Sequence, residues 1–116
     1  MSQHTKTLII AAQNDQFRQG DPSVPGQVVV TSGLANHIDE AKSTLAELVK
    51  AVRTFDTFTE DNDPHGEHDF GKFIFLDADC FWKIDLYNPT LDGGSEAPTD
   101  LTQTHRVLTL MLTHEY

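Results

Sequence analysis

Carboxylate and imidazole side chains are concentrated in one short stretch, TFTEDNDPHGEHDFG, which covers residues 57–71. Such side chains can ligate a metal ion, transfer protons, or present negative charge to a basic partner. The spacing of these side chains and the residues around them favour one of these three kinds of chemistry over the others. The side chains concerned are Glu60, Asp61, Asp63, His65, Glu67, His68 and Asp69.

A calcium-binding loop is excluded by two residues of this stretch. Asp61, Asp63 and Gly66 fall at the first, third and sixth positions of such a loop. The fifth position is His65, where calcium prefers an oxygen ligand, and the twelfth is Lys72, where a bidentate glutamate is needed. Because a lysine repels the cation, we reject a calcium loop of this type.

A transition-metal site is the alternative hypothesis, because imidazole and carboxylate ligands suit zinc and related ions. Its ligands would be His65, His68, Asp61 and Asp63, and the protein would be a metal-dependent hydrolase or a metal-binding module. The His-x-x-His spacing lies on a loop, however, and no HExxH motif or nearby cysteine accompanies it. We therefore expect neither a bound metal nor another cofactor.

Catalysis is not the expected function, although crowded carboxylates can raise one another's pKa enough for proton transfer. The sequence contains no nucleophile elbow, phosphate-binding glycine loop or dinucleotide fingerprint. The single cysteine, Cys80, lies beside Phe81 and Trp82 where a strand pattern begins, so we expect a buried small side chain there. No catalytic residue is assigned.

The net charge of −10 belongs entirely to the C-terminal half. Residues 1–53 contain five acids and five bases, whereas residues 54–116 contain thirteen acids and three bases. This asymmetry predicts one face with a strong negative potential, although acidity of this kind also promotes solubility without any special partner. Nucleic acid would be repelled by such a face, so direct binding of DNA or RNA is not expected.

Closely spaced carboxylates on a rigid loop can imitate the negative charge of a nucleic acid backbone. We therefore predict a small acidic, non-enzymatic binding or inhibitor protein whose partner is a protein with a basic, nucleic-acid-binding surface. Anti-restriction and anti-CRISPR inhibitors are analogous in size and charge. Charge would mainly speed association, while a few buried aromatic side chains would supply most of the affinity. All seven side chains of the acidic stretch are the predicted binding residues.

The stretch also has a structural interpretation that is compatible with any function. Asp and Asn side chains before Pro64 can accept hydrogen bonds from the backbone of their own loop, and His65 or His68 would brace it. Arg106 and Lys83 would then pair with some of the carboxylates.

The elements around the stretch follow from hydrophobic periodicity. Residues 5–18 have near-helical spacing of apolar side chains, and residues 37–55 form one apolar stripe with acids early and bases late, so two helices are predicted. QVVVTS between them predicts a strand. Lys72–Leu76 and Phe81–Tyr87 predict a hairpin with a turn at Asp77–Asp79. Residues 101–116 predict a third helix, with Asp100 or Thr102 as its cap and Val107, Leu108, Met111 and Leu112 as its apolar face.

These elements predict a single α+β domain over residues 1–116, in the order α-β-α-loop-β-β-α. A small antiparallel sheet of about three strands would pack against the three helices. A chain of this length buries enough surface to fold without metal or disulfide. The predicted core consists of Leu45, Leu48, Val49, Trp82, Ile84, Leu86, Val107, Leu108 and Met111.

The N-terminus and the cysteine content indicate where the protein resides. The apolar run before Gln13 is only about five residues long, which is too short for a signal peptide or a membrane span. A single cysteine cannot form an internal disulfide, which fits a reducing compartment. We expect a soluble cytoplasmic protein with no membrane partner.

Several segments together resemble a family of small uncharacterised bacterial proteins, the domain of unknown function 3768. They are NDQFR, VVVTSG, FTEDNDPHGEHDFG, FWKIDLY followed by GSE, and the closing RVLTLMLTHEY. The resemblance extends from about residue 8 to the C-terminus, and the acidic stretch is its most specific motif. It implies a complete single domain in a bacterial, cytoplasmic setting, and it supplies no activity and no site residues.

Overall fold

The computed structural model describes every residue from Met1 to Tyr116. It is an α+β structure, which confirms the predicted fold class, and it has three α-helices and a four-stranded sheet. No helix combines the length and the hydropathy that crossing a bilayer demands. The elements are α1 (Gln3–Arg18), β1 (Gly26–Val30), α2 (Ser32–Glu40), α3 (Leu45–Arg53), β2 (Phe70–Phe75), β3 (Ala78–Tyr87) and β4 (His105–Leu112), with short 3-10 helices at Leu101–Gln103 and Thr113–Glu115.

The sheet has the strand order β1-β4-β3-β2, which places the C-terminal strand in its interior. β3 is antiparallel to both β2 and β4, whereas β1 runs parallel to β4. The prediction of about three antiparallel strands is therefore wrong, because it omits one strand and the parallel pair. The predicted element order changes accordingly to α-β-α-α-β-β-β.

The C-terminal segment forms a strand, so the predicted third helix is wrong. Its buried side chains alternate, with Arg106, Leu108 and Leu110 on the covered face. The run RVLTLML fits both a helical stripe and a strand, and periodicity alone does not separate them. Pairing decides the outcome, because this segment bonds to β3 on one side and to β1 on the other. Asp100 does cap, but it caps the preceding 3-10 turn by accepting a hydrogen bond from the amide of Thr102.

The predicted helix over residues 37–55 is two helices, α2 and α3, separated by a sharp turn. Lys42 has a left-handed backbone with φ of 56°, which an α-helix does not contain. Thr44 then starts α3, since its hydroxyl accepts a hydrogen bond from the amide of Glu47. The KST segment therefore contains a capping signal that the continuous apolar stripe concealed.

All three helices lie on one face of the sheet. α2 contributes Leu34 and Ile38 to the core, and α3 contributes Leu48 and Val52, which pack with Trp82 and other sheet residues. Of the predicted core, Leu48, Trp82, Ile84, Leu108 and Met111 are buried, and Val49, Leu86 and Val107 are half-buried. Leu45 is 54% exposed, which contradicts its predicted place in the core, because it is the first residue of α3 and lies on the solvent side.

The hairpin of β2 and β3 is confirmed, but its turn is Leu76–Asp77, one residue earlier than predicted. Phe75 pairs with Ala78, so only two residues connect the strands. Both have positive φ, 52° for Leu76 and 64° for Asp77. Two positive φ angles are what a two-residue turn of the I′ type needs, and they favour Asn or Gly over leucine.

Leu76→Asn is therefore expected to raise the free energy of unfolding by about 0.5–1 kcal/mol, because a left-handed backbone is strained in leucine and tolerated by asparagine. The denaturant midpoint at constant slope measures this change. Ile74→Asn is the matched control, since Ile74 is 70% exposed on the adjoining strand and has an extended backbone. Equal destabilisation by both substitutions would contradict the explanation by turn strain.

Candidate functional site

The first half of the acidic stretch closes on itself through the side chain of Asn62. The Asn62 Oδ1 atom accepts a hydrogen bond from the amide of Thr59 at 2.7 Å, and its Nδ2 donates to the carbonyl of Thr57 at 2.8 Å. The amide of Asp63 donates to the carbonyl of Thr59 at 2.8 Å. The predicted local bonding of the loop's backbone is therefore confirmed, and the loop has a defined shape.

Asp63 and His68 form the internal brace of this loop. Asp63 is buried, and both of its carboxylate oxygens accept from the amide of His68 at 3.3 Å. The His68 ring lies 2.9 Å by its Nδ1 from Asp15 on α1 and stacks on Phe58 with ring centroids 3.8 Å apart. These two predicted binding residues are therefore engaged in internal contacts that fix the loop against α1.

Arg18 connects α1 to the C-terminal end of α3 and places its guanidinium 5.3 Å from the centre of the Phe58 ring, and the sequence analysis did not identify it. Its Nε donates to the carbonyl of Val52 at 3.2 Å, and its Nη2 donates to the carbonyl of Phe55 at 2.9 Å. Nη1 pairs with Asp15 at 2.9 Å. The only sequence signal is the spacing of Asp15 and Arg18 on one helix face, which is common among exposed pairs.

A second buried network joins the two acidic loops of the molecule. Arg106 donates through Nε to Asn14 Oδ1 at 2.8 Å and through Nη2 to Gln13 Oε1 at 3.1 Å. Asn14 in turn donates to the carbonyl of Glu67 at 2.9 Å, and Gln13 donates to the carbonyl of Thr99 at 2.9 Å. Neighbouring residues of α1 thus hold the loops 56–69 and 88–104, and we call Gln13, Asn14 and Arg106 the Arg106 network.

The two loops contain almost all of the net charge. Residues 56–69 include six carboxylates and residues 88–104 include three, and neither segment contains a lysine or an arginine. The exposed charged or titratable side chains of these two loops are those of Asp56, Glu60, Asp61, Asp92, Glu96 and Asp100, together with His65. Among the predicted binding residues, Glu60, Asp61 and His65 are exposed, Glu67, His68 and Asp69 are half-buried, and Asp63 is buried.

Glu67 and Asp69 are half-buried carboxylates whose pKa values are raised, although the nearby His65 acts in the lowering direction on both. Burial is the main cause that raises the pKa of Glu67, and repulsion from Asp69 adds to it. Burial likewise raises the pKa of Asp69, with repulsion from Asp63 and Asp85 as further causes. None of the ion pairs in the structure includes Glu67 or Asp69. These two carboxylates would gain from a cation supplied from outside.

Arg106 and Lys83 do not pair with carboxylates of the acidic stretch, so the prediction is wrong for both residues. Arg106 is fully buried beneath the sheet's helices, where burial lowers its pKa to about 10. Lys83 pairs with Asp85 at 3.0 Å, because the two side chains are two residues apart on β3 and point to the same face.

The raised pKa values predict that stability falls as the pH rises. In the window above the ordinary carboxyl pKa, the folded protein holds more protons on Glu67 and Asp69 than the unfolded chain does, so the free energy of unfolding decreases with pH. Glu67→Gln with Asp69→Asn should remove this part of the decrease and leave the protein more stable at neutral pH. Urea denaturation between about pH 4 and pH 7 measures it.

Asp92→Asn is the control, because the contribution of Asp92 to the free energy of unfolding changes with pH in the opposite direction. Hydrogen bonds from Asn88 and Thr90 lower the pKa of Asp92, so its contribution is present at neutral pH and is lost on acidification. The amide should therefore reduce stability at pH 7. The same pH profile in the native protein and in the double amide variant would contradict the interpretation.

The alternative metal ligands are not gathered into a site. No group of three or more His, Cys, Asp or Glu side chains is placed to hold a metal ion. His68 is engaged with Asp15 and Asp63, while Asp61 and His65 are exposed. Cys80 is fully buried in the core, as predicted, and burial raises the pKa of its thiol.

Comparison with known proteins gives one match. The model of a family described as a protein of unknown function (DUF3768) matches residues 30–115, which run from the last residue of β1 almost to the C-terminus and include the acidic stretch. No curated protein and no solved structure matches the chain. The match confirms the resemblance over residues 30–115, while NDQFR at residues 14–18 lies outside the matched range.

Proposed function

We propose that this chain, which belongs to the DUF3768 family, is a small acidic, non-enzymatic protein that binds a basic surface of a partner protein. The observation that carries the proposal is the pair of acidic loops. They contain nine carboxylates and no lysine or arginine, and adjacent residues of α1 bond to both of them. A surface with this density of unopposed charge attracts a basic partner and repels nucleic acid.

The proposed partner uses its basic surface to bind nucleic acid, and the acidic loops would compete for that surface. The phosphate backbone presents closely spaced negative charges, and a protein that occupies the same groove must present charges of similar density. The loops here are held by side-chain hydrogen bonds at Asn62, Asp63, Asn14 and Gln13, so their carboxylates are partly preorganised. Inhibitors of restriction or CRISPR nucleases are the functional class that this surface suits, and the single buried cysteine favours a cytoplasmic setting.

Two groups of residues have distinct roles in this proposal. Exposed Glu60 and Asp61 attract the partner over a distance, because solvent-exposed charges act mainly on the association rate. Half-buried Glu67 and Asp69 receive its cations at close range, because repulsion between them is relieved when a lysine or arginine arrives.

Aromatic side chains next to the acidic loop would supply apolar contact area. Phe70 follows Asp69 directly, and its ring lies 4.8 Å from that of Phe81 and 5.9 Å from that of Tyr116. The three rings lie on the sheet face opposite to the helices, and Tyr116 is 76% exposed. Phe70 and Phe81 are half-buried, so Tyr116 is the ring most accessible to a partner, and aromatic side chains beside a charged rim are typical of the centre of a binding surface.

Capture with the immobilised protein from its host, followed by identification of what elutes with salt, tests the proposal. We expect a protein with a basic surface, and we expect the acidic protein to displace duplex DNA from it. A partner with an acidic surface and salt-insensitive binding would contradict the proposal. So would turnover of a small molecule, or a stoichiometric transition metal that is lost on His65→Ala or His68→Ala.

A further inference from the structure

An apolar cleft lies between the open edge of the sheet and the ends of α1 and α3. Its volume is about 320 Å³, and residues 20–26, which connect α1 to β1, form one wall. This cleft is separate from the acidic loops, because none of its lining residues belongs to residues 56–69 or 88–104. We propose that it binds a small organic anion with an apolar body and one carboxylate or similar head group.

The walls of the cleft determine the apolar part of this ligand. Val28 and Leu108 lie side by side on β1 and β4, Val49 and Val52 come from α3, and Phe17 comes from α1. Val28 is 49% exposed although it lies on the helix-covered face of the sheet. A half-exposed valine on a covered face marks a place where the core is open, and an apolar ligand would complete it.

The charge at the cleft determines the head group. Arg53 lines the cleft, its side chain is exposed, and it forms no ion pair in a protein whose net charge is −10. Asp21 is the one acid of the lining, but its Oδ1 already accepts from the amide of Ser23 at 2.9 Å and from its hydroxyl at 2.7 Å. Asp21 keeps its negative charge, but no ion pair joins it to Arg53, so the guanidinium of Arg53 is the cation of the lining that is free to pair with an anion.

Arg18, the second arginine of the lining, is not available to a ligand, in contrast to Arg53. Arg18 is 3% exposed, and its guanidinium is occupied by Asp15 and by the carbonyls of Val52 and Phe55. Its charge is balanced by Asp15, so it adds little positive potential to the wall of the cleft. The free donors belong to Arg53.

Gly20 positions the guanidinium of Arg53 at the rim. A Cβ atom at Gly20 would lie 2.7 Å from Nη2 and 2.8 Å from Cζ of Arg53, so the guanidinium rests directly on the glycine backbone. Gly20 also has φ of 92°, which side-chain-bearing residues rarely adopt. A guanidinium confined in this way loses less freedom when it binds an anion, which favours affinity.

Octanoate is the probe that this chemistry selects, with octan-1-ol as its neutral counterpart of equal chain length. Only the carboxylate of octanoate can form a charge-assisted hydrogen bond with Arg53, so octanoate is expected to bind about tenfold more tightly than octan-1-ol. Isothermal titration calorimetry measures both dissociation constants. Amide chemical shifts should move in residues 20–28 and 49–53.

Arg53→Met is expected to abolish the preference for octanoate while leaving the binding of octan-1-ol nearly unchanged. Lys50→Met is the matched control, because Lys50 is an exposed cation on the same helix that does not line the cleft. Val28→Glu is an independent variant, since a carboxylate at the half-exposed Val28 position should weaken octanoate more than octan-1-ol.

Three results would overturn the proposal. They are equal affinities of the native protein for octanoate and octan-1-ol, equal losses in the Arg53 and Lys50 variants, and the absence of saturable binding up to about 10 mM. Each concerns the cleft alone, so each leaves the proposal for the acidic loops in place.

Discussion

Asn14→Ala is expected to lower the free energy of unfolding by about 3 kcal/mol, because Asn14 satisfies two buried groups at once. Its Oδ1 accepts from Nε of Arg106, and its Nδ2 donates to the carbonyl of Glu67. The alanine variant would leave a fully buried guanidinium with one partner fewer, although Nη1 of Arg106 already has none. Urea denaturation measures the change, which is a large fraction of the stability of a small protein.

Two further substitutions separate this explanation from a general effect on α1. Gln16→Ala alters an exposed residue of the same helix and should change stability by less than about 0.5 kcal/mol. Asn14→Asp keeps an oxygen opposite Arg106 and adds a countercharge, so it should cost less than Asn14→Ala. If alanine at position 14 cost no more than alanine at position 16, the Arg106 network would not be a stabilising element.

The Arg106 network shows why part of the site could not be predicted from the sequence. The hydrogen bond between Arg106 and Asn14 joins residues 92 positions apart, and neither residue belongs to a recognisable motif. An arginine in an acidic half of the chain is expected to pair with a nearby carboxylate, and Arg106 instead enters the core. Only the central place of β4 in the sheet explains its burial, and that place depends on long-range strand pairing.

Local hydrogen bonding, by contrast, was predicted correctly from the sequence. Asn62 and Asp63 bond to the backbone within six residues of themselves, as short polar side chains before a proline tend to do. The pairing of β2 with β3 was also predictable, because alternation is a short-range signal, whereas the turn was misplaced because Leu76 is not a typical turn residue. The boundary between α2 and α3 was missed although Thr44 is a good cap, because the apolar stripe over residues 37–55, about five helical turns long, obscured the stop at Lys42.

The seven predicted binding residues likewise combine features that short-range sequence signals predict with features that depend on long-range packing. Their types and spacing identified the acidic surface, and the structure divides them by role. Asp63 and His68 hold the loop in shape, whereas Glu60, Asp61 and His65 face solvent. Burial in a loop depends on what packs against it, here Asp15 and Phe58, and the sequence of the loop does not contain that information.

Reversal of the charges of Glu60 and Asp61 is expected to slow association with the basic partner by about tenfold or more at low salt. Both side chains are exposed, so their replacement by lysine alters the field with little effect on folding. Asp63 is left unchanged, because its buried carboxylate holds His68 and its reversal would disturb the loop. Stopped-flow or surface plasmon resonance kinetics with the captured partner measure the association rate.

Asp39→Lys with Glu40→Lys is the matched control for this prediction. Both residues are exposed at the end of α2, and each double variant changes the net charge from −10 to −6, so only the position of the reversed charges differs. If the acidic loops make the contact, the control should slow association much less. The difference should shrink as salt approaches about 0.1 M, where charges more than about 10 Å apart are screened. Equal slowing by both variants would show that total charge, rather than the acidic loops, attracts the partner.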